Sequence, residues 1–311
     1  MSVTPHGIHH VTAIASNPQK NVDFYTKVLG LRLVKQTVNF DAPHVWHLYY
    51  GDEQGSPASI MTFFPWPGVM PGREGAGLTT ATAFSVPPES IGFWQQRMKQ
   101  LEVETMDVFT RGDQEVLTLF DNDGMRLELV ASDGDQRSGW DGVSDIPQEH
   151  ALRGLHEVTL SERAIDPTAG MLTNLLGMDL SGESNNSAVF EMGAGGAGAS
   201  VNVVGGVAER GLQAGGTVHH VAFRAPDLPT MELWQQELLS RGVSVTQIMD
   251  RQYFKSIYFR EPGGVLFEIA TDDPGFATDE PLLELGKKLK LPPWLEPSRE
   301  QIENSLPTIE V

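Results

Sequence analysis

Short runs rich in Val, Thr and Ile alternate along the chain with single helical stripes, and the alternation recurs. The segments GIHHVTAIA from Gly7, LTTATAFSV from Leu78, GLHEVTLSE from Gly154 and TVHHVAFRA from Thr217 are alike, and their composition predicts strands. A helix signal follows each. In the first unit Asn17 and Pro18 suit an N-cap and first helical position, and Val22, Tyr25, Val28 and Leu29 keep helical spacing until Gly30. Asp166 and Pro167 repeat that start in the third unit. Ile91, Trp94, Met98 and Leu101 form the stripe of the second unit, and Met231, Trp234 and Leu238, before Gly242, that of the fourth. Further strand-like runs come after the helices: LRLVKQTVNF, HVWHLYYGD and SIMTFFPW in the first unit, VSVTQIMD, SIYFRE and VLFEIATD in the fourth. Turns such as Glu261-Pro262-Gly263-Gly264 and Asp121-Asn122-Asp123-Gly124 carry the residues that tight hairpins require.

The repeated unit is therefore βαβββ, present four times at about 7–66, 77–132, 153–205 and 216–272. This predicts an α+β fold of two domains, with units one and two in 1–150, units three and four in 151–273, and a tail over 274–311 that packs on the surface. Apolar residues in that tail need cover from their own chain or from a neighbour, which leaves a homo-oligomer open.

Composition narrows the function classes. With 22 basic and 41 acidic residues the net charge is −19, a field that repels a phosphate backbone, so nucleic-acid binding is not expected. No apolar run approaches the roughly 18 residues of a membrane span, and no membrane partner is expected. Zero cysteines exclude disulfides, thiolate metal sites and a cysteine nucleophile. The opening MSVTPHGIHH lacks the basic and apolar regions of a signal peptide, and the expectation is a cytoplasmic protein. Residues 193–198 read GAGGAG and satisfy GxGxxG, but the strand-like ASVNVV follows where a dinucleotide site needs a helix, so the motif reads as a hairpin loop. There is no GxSxG context for a serine hydrolase.

The candidate chemistry lies in histidines. A strand sends alternate side chains to opposite faces, so one residue of the pair His9–His10, and one of His219–His220, looks into any given cavity. The last strands of units two and four superimpose so that Glu128 corresponds to Glu268. Glu128 lacks a histidine partner, since Ala81 stands at the matching first-strand position, and it reads as a relic or a surface carboxylate.

Four βαβββ units with histidines on first strands and a carboxylate on a last strand resemble the vicinal oxygen chelate superfamily, which includes glyoxalase I and extradiol ring-cleaving dioxygenases. NVDFYTKVLGLRL is similar to that superfamily's first helix and following strand. GIHHVTA, LRLVKQTVNFD, HLYYGD, GSPASIMTFFPWP and the closing GKKLKLPP resemble bacterial proteins named as ring-cleaving dioxygenases and associated with hydroquinone- and catechol-type substrates. The resemblance implies two glyoxalase-like or extradiol-dioxygenase-like domains. It also implies a metal triad of His10, His220 and Glu268, which suits non-haem Fe(II) and requires units one and four to share a cavity. Pairing units three and four would instead offer Glu157 with His220 and Glu268; alternation favours the first set. His9, His156 and His219 are then out of register and read as hydrogen-bonded structural residues.

By the same resemblance Tyr258 corresponds to a tyrosine that bonds a metal-bound substrate oxygen, and His47, with His44 as substitute, to the acid/base histidine. Trp46, Phe63, Phe64, Trp66 and Phe254 are candidate walls for an aromatic ring. The implied function is an Fe(II)-dependent, extradiol-type dioxygenase that takes a small dihydroxylated aromatic and O2, with Mn(II) as an alternative ion. Two other readings are a glyoxalase-like isomerase or lyase using Ni(II) or Zn(II), and a non-catalytic binding protein. The isomerase would want a fourth protein ligand, and Met61 and Phe63 lie near that position of unit one.

Overall fold

The structure is a computed structural model that describes residues 4–143 and 145–311. Unit one comprises β1 (Ile8–Ala15), α1 (Pro18–Asp23), β2 (Arg32–Asn39), β3 (Ala42–Gly51) and β4 (Ile60–Pro65). Unit two comprises β5 (Leu78–Val86), α2 (Ile91–Gln100), β6 (Phe109–Arg111), β7 (Gln114–Phe120) and β8 (Arg126–Ala131). Unit three comprises β9 (Gly154–Ser161), α3 (Ile165–Asn174), β10 (Asp179–Ser184), β11 (Ser187–Glu191) and β12 (Ser200–Val204). Unit four comprises β13 (Thr217–Ala225), α4 (Leu228–Ser240), β14 (Met249–Asp250), β15 (Lys255–Arg260) and β16 (Leu266–Thr271), and the tail adds α5 (Arg299–Ser305). The GAGGAG run is the loop of the β11–β12 hairpin.

The units assemble into two eight-stranded sheets, ordered β14-β15-β16-β13-β1-β4-β3-β2 and β10-β11-β12-β9-β5-β8-β7-β6. The expected grouping of consecutive units into 1–150 and 151–273 is therefore corrected: unit one pairs with unit four, and unit two with unit three. The cause lies in the first strands. β1 and β13 pair antiparallel about Val11↔Val221, and β5 with β9 about Thr82↔Val158, so each sheet closes through strands from both halves of the chain. The connections that cross between sheets run beside each other, bridged at Pro71↔Gly215, Arg73↔Leu212 and Ala76↔Arg210.

Strand alternation divides the first sheet into two faces. Val11, Met61, Val221, Phe259 and Phe267 join the main apolar core with Trp94, Met98, Met231 and Leu238 from the helices. The opposite face carries the polar side chains taken up below. Two helix details depart from the expected ones. After Asp23 the first helix widens into a π turn over Phe24–Val28, and α3 starts at Ile165, which puts Asp166 and Pro167 inside its first turn, where a missing N–H costs nothing. Leu101 lies just past α2 and is exposed. Among the described residues no helix is long and apolar enough to cross a membrane.

The tail closes one end of the first half-barrel. Phe276 and Leu285 pack on Val34, Tyr49, Tyr253 and Phe254, and the fully buried Lys35 ammonium donates to Asp279 (2.7 Å), Glu280 and the Phe276 carbonyl (3.0 Å). A buried cation is tolerable only with partners of this kind, so Lys35 fixes the tail against β2.

A second buried polar contact joins the sheets. Glu261, in the β15–β16 turn, accepts from Thr168 Oγ1 (2.7 Å) and from the Gly263 and Val265 amides (both 2.8 Å). Glu162, just after β9, faces it, and burial followed by the Glu261 charge pushes its carboxyl up to about 8. A folded-state value above the unfolded one contributes stability that is complete below about 4.5 and lost as pH rises through about 8. Glu162→Gln is accordingly expected to raise the melting temperature at pH 9 and to flatten its fall between pH 6 and pH 9; an unchanged melting profile would dismiss the shared proton.

Candidate metal centre

The β1–β13 register has a local two-fold about Val11 and Val221: His10 opposes Ala222, and Thr12 opposes His220. Extending the rows outward, Ala222 lies beside Glu268 on β16, which lies beside Tyr258 on β15, while Thr12 lies beside Thr62 on β4. Side chains within one row share a face, so His10, Ala222, Glu268 and Tyr258 project together. The structure thus gathers His10, His220 and Glu268, residues of units one and four. Their donor atoms lie within 4.8 Å of one another, and all three residues are buried. Glu268 Oε2 is 2.8 Å from His220 Nε2 and 3.4 Å from His10 Nε2, and the two Nε2 atoms are 3.4 Å apart. Donors about 2.1 Å from one ion stand about 3.0 Å apart at right angles and about 3.4 Å apart at tetrahedral angles. Two observed separations, both 3.4 Å, fall in that range and the third, 2.8 Å, lies just below it.

Protonation supports the fit. His10 Nδ1 is 2.9 Å from His9 Nδ1, and His220 Nδ1 is 2.7 Å from His219 Nδ1. A donor Nδ1–H on His10 or on His220 would leave the Nε2 of that ring free as a metal ligand. Burial, then the neighbouring imidazole, pushes His9 and His219 each down to about 3, so both stay neutral. Glu268 Oε1 accepts from Ser256 Oγ, whereas Oε2 has no hydrogen-bond donor. Burial pushes the Glu268 carboxyl up, but the two imidazoles facing it outweigh this and hold it well below the usual range. Two imidazole nitrogens and a carboxylate oxygen thus face one buried point, an arrangement that a divalent cation satisfies. His9→Ala is expected to weaken divalent-metal affinity by about 10–100-fold through loss of ligand orientation; a chelator competition giving the wild-type constant would remove that role.

His10, His220 and Glu268 line a cavity of about 670 Å3 that is also lined by His47, Tyr258, Arg251, Phe64, Trp66 and Phe40. His47 Nε2 meets Thr62 Oγ1 at 2.5 Å and its Nδ1 meets the Tyr49 hydroxyl at 2.9 Å. Burial, then charge on His10 and His220, lowers its pKa well below the usual histidine value. Tyr258 accepts from Arg251 Nε (3.2 Å), whose guanidinium sits 5.2 Å from the ring centroid, and burial followed by Glu268 keeps the phenol protonated. Arg251 also reaches Asp41 on the rim (3.1 Å).

Other expected residues are distributed differently. Phe64 and Trp66 line the cavity, and Phe254 packs on His9 and His10 with ring centroids 5.2 and 5.1 Å away. Phe63 is a core residue against Tyr25 and Tyr50, and Trp46 donates to the Pro307 carbonyl of the tail (2.8 Å), so neither is a wall. His44 is exposed beside Trp66. The fourth-ligand position near Met61 and Phe63 is occupied by Thr62: the two-fold that exchanges His10 with His220 carries Glu268 onto it. Met61 and Phe63 point into the core. Glu157 lies in the other sheet, far from His220 in topology, which removes the alternative triad. Local pattern assigns no role to Arg251, Thr62, Tyr49 or Ser256; strand pairing brings them to the site.

Comparison with known proteins places this geometry in a family. The family model of the Glyoxalase/Bleomycin resistance protein/Dioxygenase superfamily matches residues 7–129 and 154–269. The chain is 42% identical over 305 residues to the "Putative ring-cleaving dioxygenase MhqO" of Bacillus subtilis, covering 98% of this chain and 97% of that one. It is 34% identical over 306 residues to the chlorohydroquinone/hydroquinone 1,2-dioxygenase of Sphingobium indicum, covering 95% and 94%. A crystal structure of a "putative dioxygenase" from Bacillus subtilis superposes with a TM-score of 0.96 at 41% identity, covering 100% of this chain and 99% of that one. Glyoxalase I from Zea mays shares the fold at a TM-score of 0.62 and 15% identity, over 86% and 92%. The repeated units, their pairing into two sheets and these matches together show that the chain belongs to the glyoxalase/bleomycin resistance protein/dioxygenase superfamily.

Proposed function

We propose that this protein is an Fe(II)-dependent, extradiol-type dioxygenase that cleaves a dihydroxylated aromatic ring of hydroquinone or catechol type with O2, and that His10, His220 and Glu268 hold the ion. The observation that carries the reading is the convergence of two imidazole nitrogens and a carboxylate oxygen at one buried point. Two histidines and one carboxylate form a facial set suited to non-haem Fe(II), with Mn(II) as the alternative occupant. The names of the relatives point to the same chemistry.

An iron bound there would supply a Lewis acid for a substrate hydroxyl and a redox path between ring and O2. The chain's own groups do the rest. Phe40, Phe64 and Trp66 present apolar surface to a ring and exclude water around it. Tyr258, kept protonated and oriented by Arg251, can donate to a substrate oxygen beside Glu268. His47 is neutral and can take a phenolic proton at one nitrogen while Tyr49 or Thr62 keeps the other. Thr62 at the two-fold mate of Glu268 supplies no carboxylate, which counts against the glyoxalase-like isomerase.

Anaerobic reconstitution with Fe(II), followed by oxygen uptake with methylhydroquinone and with catechol, tests the reading. One O2 consumed per substrate is the expected result. Metal binding without uptake would favour the isomerase or a binding protein, and no metal binding would remove both enzyme readings.

A further inference from the structure

The second sheet duplicates the first strand for strand, and its register allows residue-by-residue comparison. The row Tyr258–Glu268–Ala222–His10 of the first sheet corresponds to Thr118–Glu128–Ala83–Glu157 of the second. Ala81 stands where His220 stands, each one residue before the two-fold. On the edge hairpins, Met249 pairs with Ser256 and Phe109 with Val116, and Ser256 and Val116 pair in turn with Ala270 and Val130, each two residues after its glutamate. Two residues beyond Met249 and Phe109 lie Arg251 and Arg111, which are therefore equivalent.

The equivalent arginines are used in opposite ways. Arg251 turns to Tyr258 and leaves the centre of its half-barrel free. Arg111 enters the centre of the second: its Nη1 lies 2.7 Å from Glu157 Oε1 and its Nη2 2.6 Å from Glu128 Oε2. Arg126 meets the other Glu128 oxygen at 2.5 Å. Glu128 is fully buried, not a surface carboxylate or an idle relic. Two carboxylates pointed at one buried spot require positive charge there, and the methyl of Ala81 leaves room for a planar guanidinium.

We propose that Arg111 is the resident cation of the duplicated site: its guanidinium takes the place an ion would have between Glu128 and Glu157, so the chain binds one metal ion and its second half-barrel is closed to ions by its own side chain. The carboxylates remain because the arginine needs them, and the arginine remains because Glu157 would otherwise be buried without a cation and Glu128 would keep Arg126 alone.

Thermal melts of the full chain in chelator test this without reliance on the first site. Arg111→Met is expected to lower the melting temperature by about 6 °C or more, as loss of one partner of a buried ion cluster does. Arg111→Met combined with Glu157→Gln should recover at least half of that loss, because the second change removes the repulsion between the abandoned carboxylates. A double variant that melts at or below the single one would overturn the proposal. If the single variant does not fold, a soluble double variant supports the proposal and an insoluble one overturns it. Mn(II) titration of the wild type gives the complementary reading: one equivalent lost in His10→Ala is expected, whereas a second equivalent lost in Glu128→Gln would show the site open to ions. No bound Mn(II) at all would count against the function proposed for the first half-barrel and leave the melts to decide on Arg111.

Discussion

After anaerobic loading with Fe(II) and desalting, His10→Ala, His220→Ala and Glu268→Gln are each expected to retain less than about a tenth of the wild-type iron and to lose ring cleavage by at least about 10³-fold. Glu157→Ala, in the other sheet, should retain full iron. The reason is geometric: three donors from β1, β13 and β16 converge, and none of the remaining cavity groups is placed to replace one. A second readout separates a ligand from a merely structural residue. In chelator the wild type keeps Glu268 Oε2 2.8 Å from His220 Nε2 and 3.4 Å from His10 Nε2. Gln at position 268 keeps the size of the side chain and an oxygen for Ser256 but loses the negative charge, so Glu268→Gln should fail to hold iron while melting within about 3 °C of the metal-free wild type. Loss of iron together with a metal-free melting temperature lowered by more than that would mark Glu268 as structural support instead.

The second large effect is expected from His47→Gln, which should reduce kcat by about 10²–10³-fold with a smaller change in KM and with iron content unchanged. The substitution keeps a polar group against Thr62 and Tyr49 but removes the neutral imidazole that would accept the substrate proton. Because burial holds the His47 pKa down, the imidazole is neutral and available as a base throughout the neutral range, so the wild-type rate should show no loss attributable to its protonation at pH 6–7. Steady-state oxygen uptake at saturating methylhydroquinone checks both points; a wild-type kcat in His47→Gln would exclude the proton-transfer role.

Most of the fold is legible in the sequence, because each unit is specified locally: β-branched first strands, capped helical stripes and Gly- or Asp-containing hairpins. What local pattern does not hold is which units meet. His10 and His220 lie 210 positions apart, and the β1–β13 pairing that unites them depends on long-range strand register. Grouping neighbours in sequence therefore misassigned the units, while alternation on each first strand still selected the inward-facing histidine. His9 and His219, expected to be structural, lie with their Nδ1 atoms 2.9 and 2.7 Å from the Nδ1 atoms of His10 and His220. Arg251 and Arg111 escaped notice for a different reason: edge-hairpin arginines carry no motif, and only the registers of β14–β15 and β6–β7 show that one position faces two different centres.

The most direct test is an anomalous-difference map at the iron edge from crystals loaded without oxygen. A single strong peak within about 2.3 Å of His10 Nε2, His220 Nε2 and a Glu268 oxygen is expected, with none between Glu128 and Glu157. No peak at the first position, or a peak held by other side chains, would contradict the account.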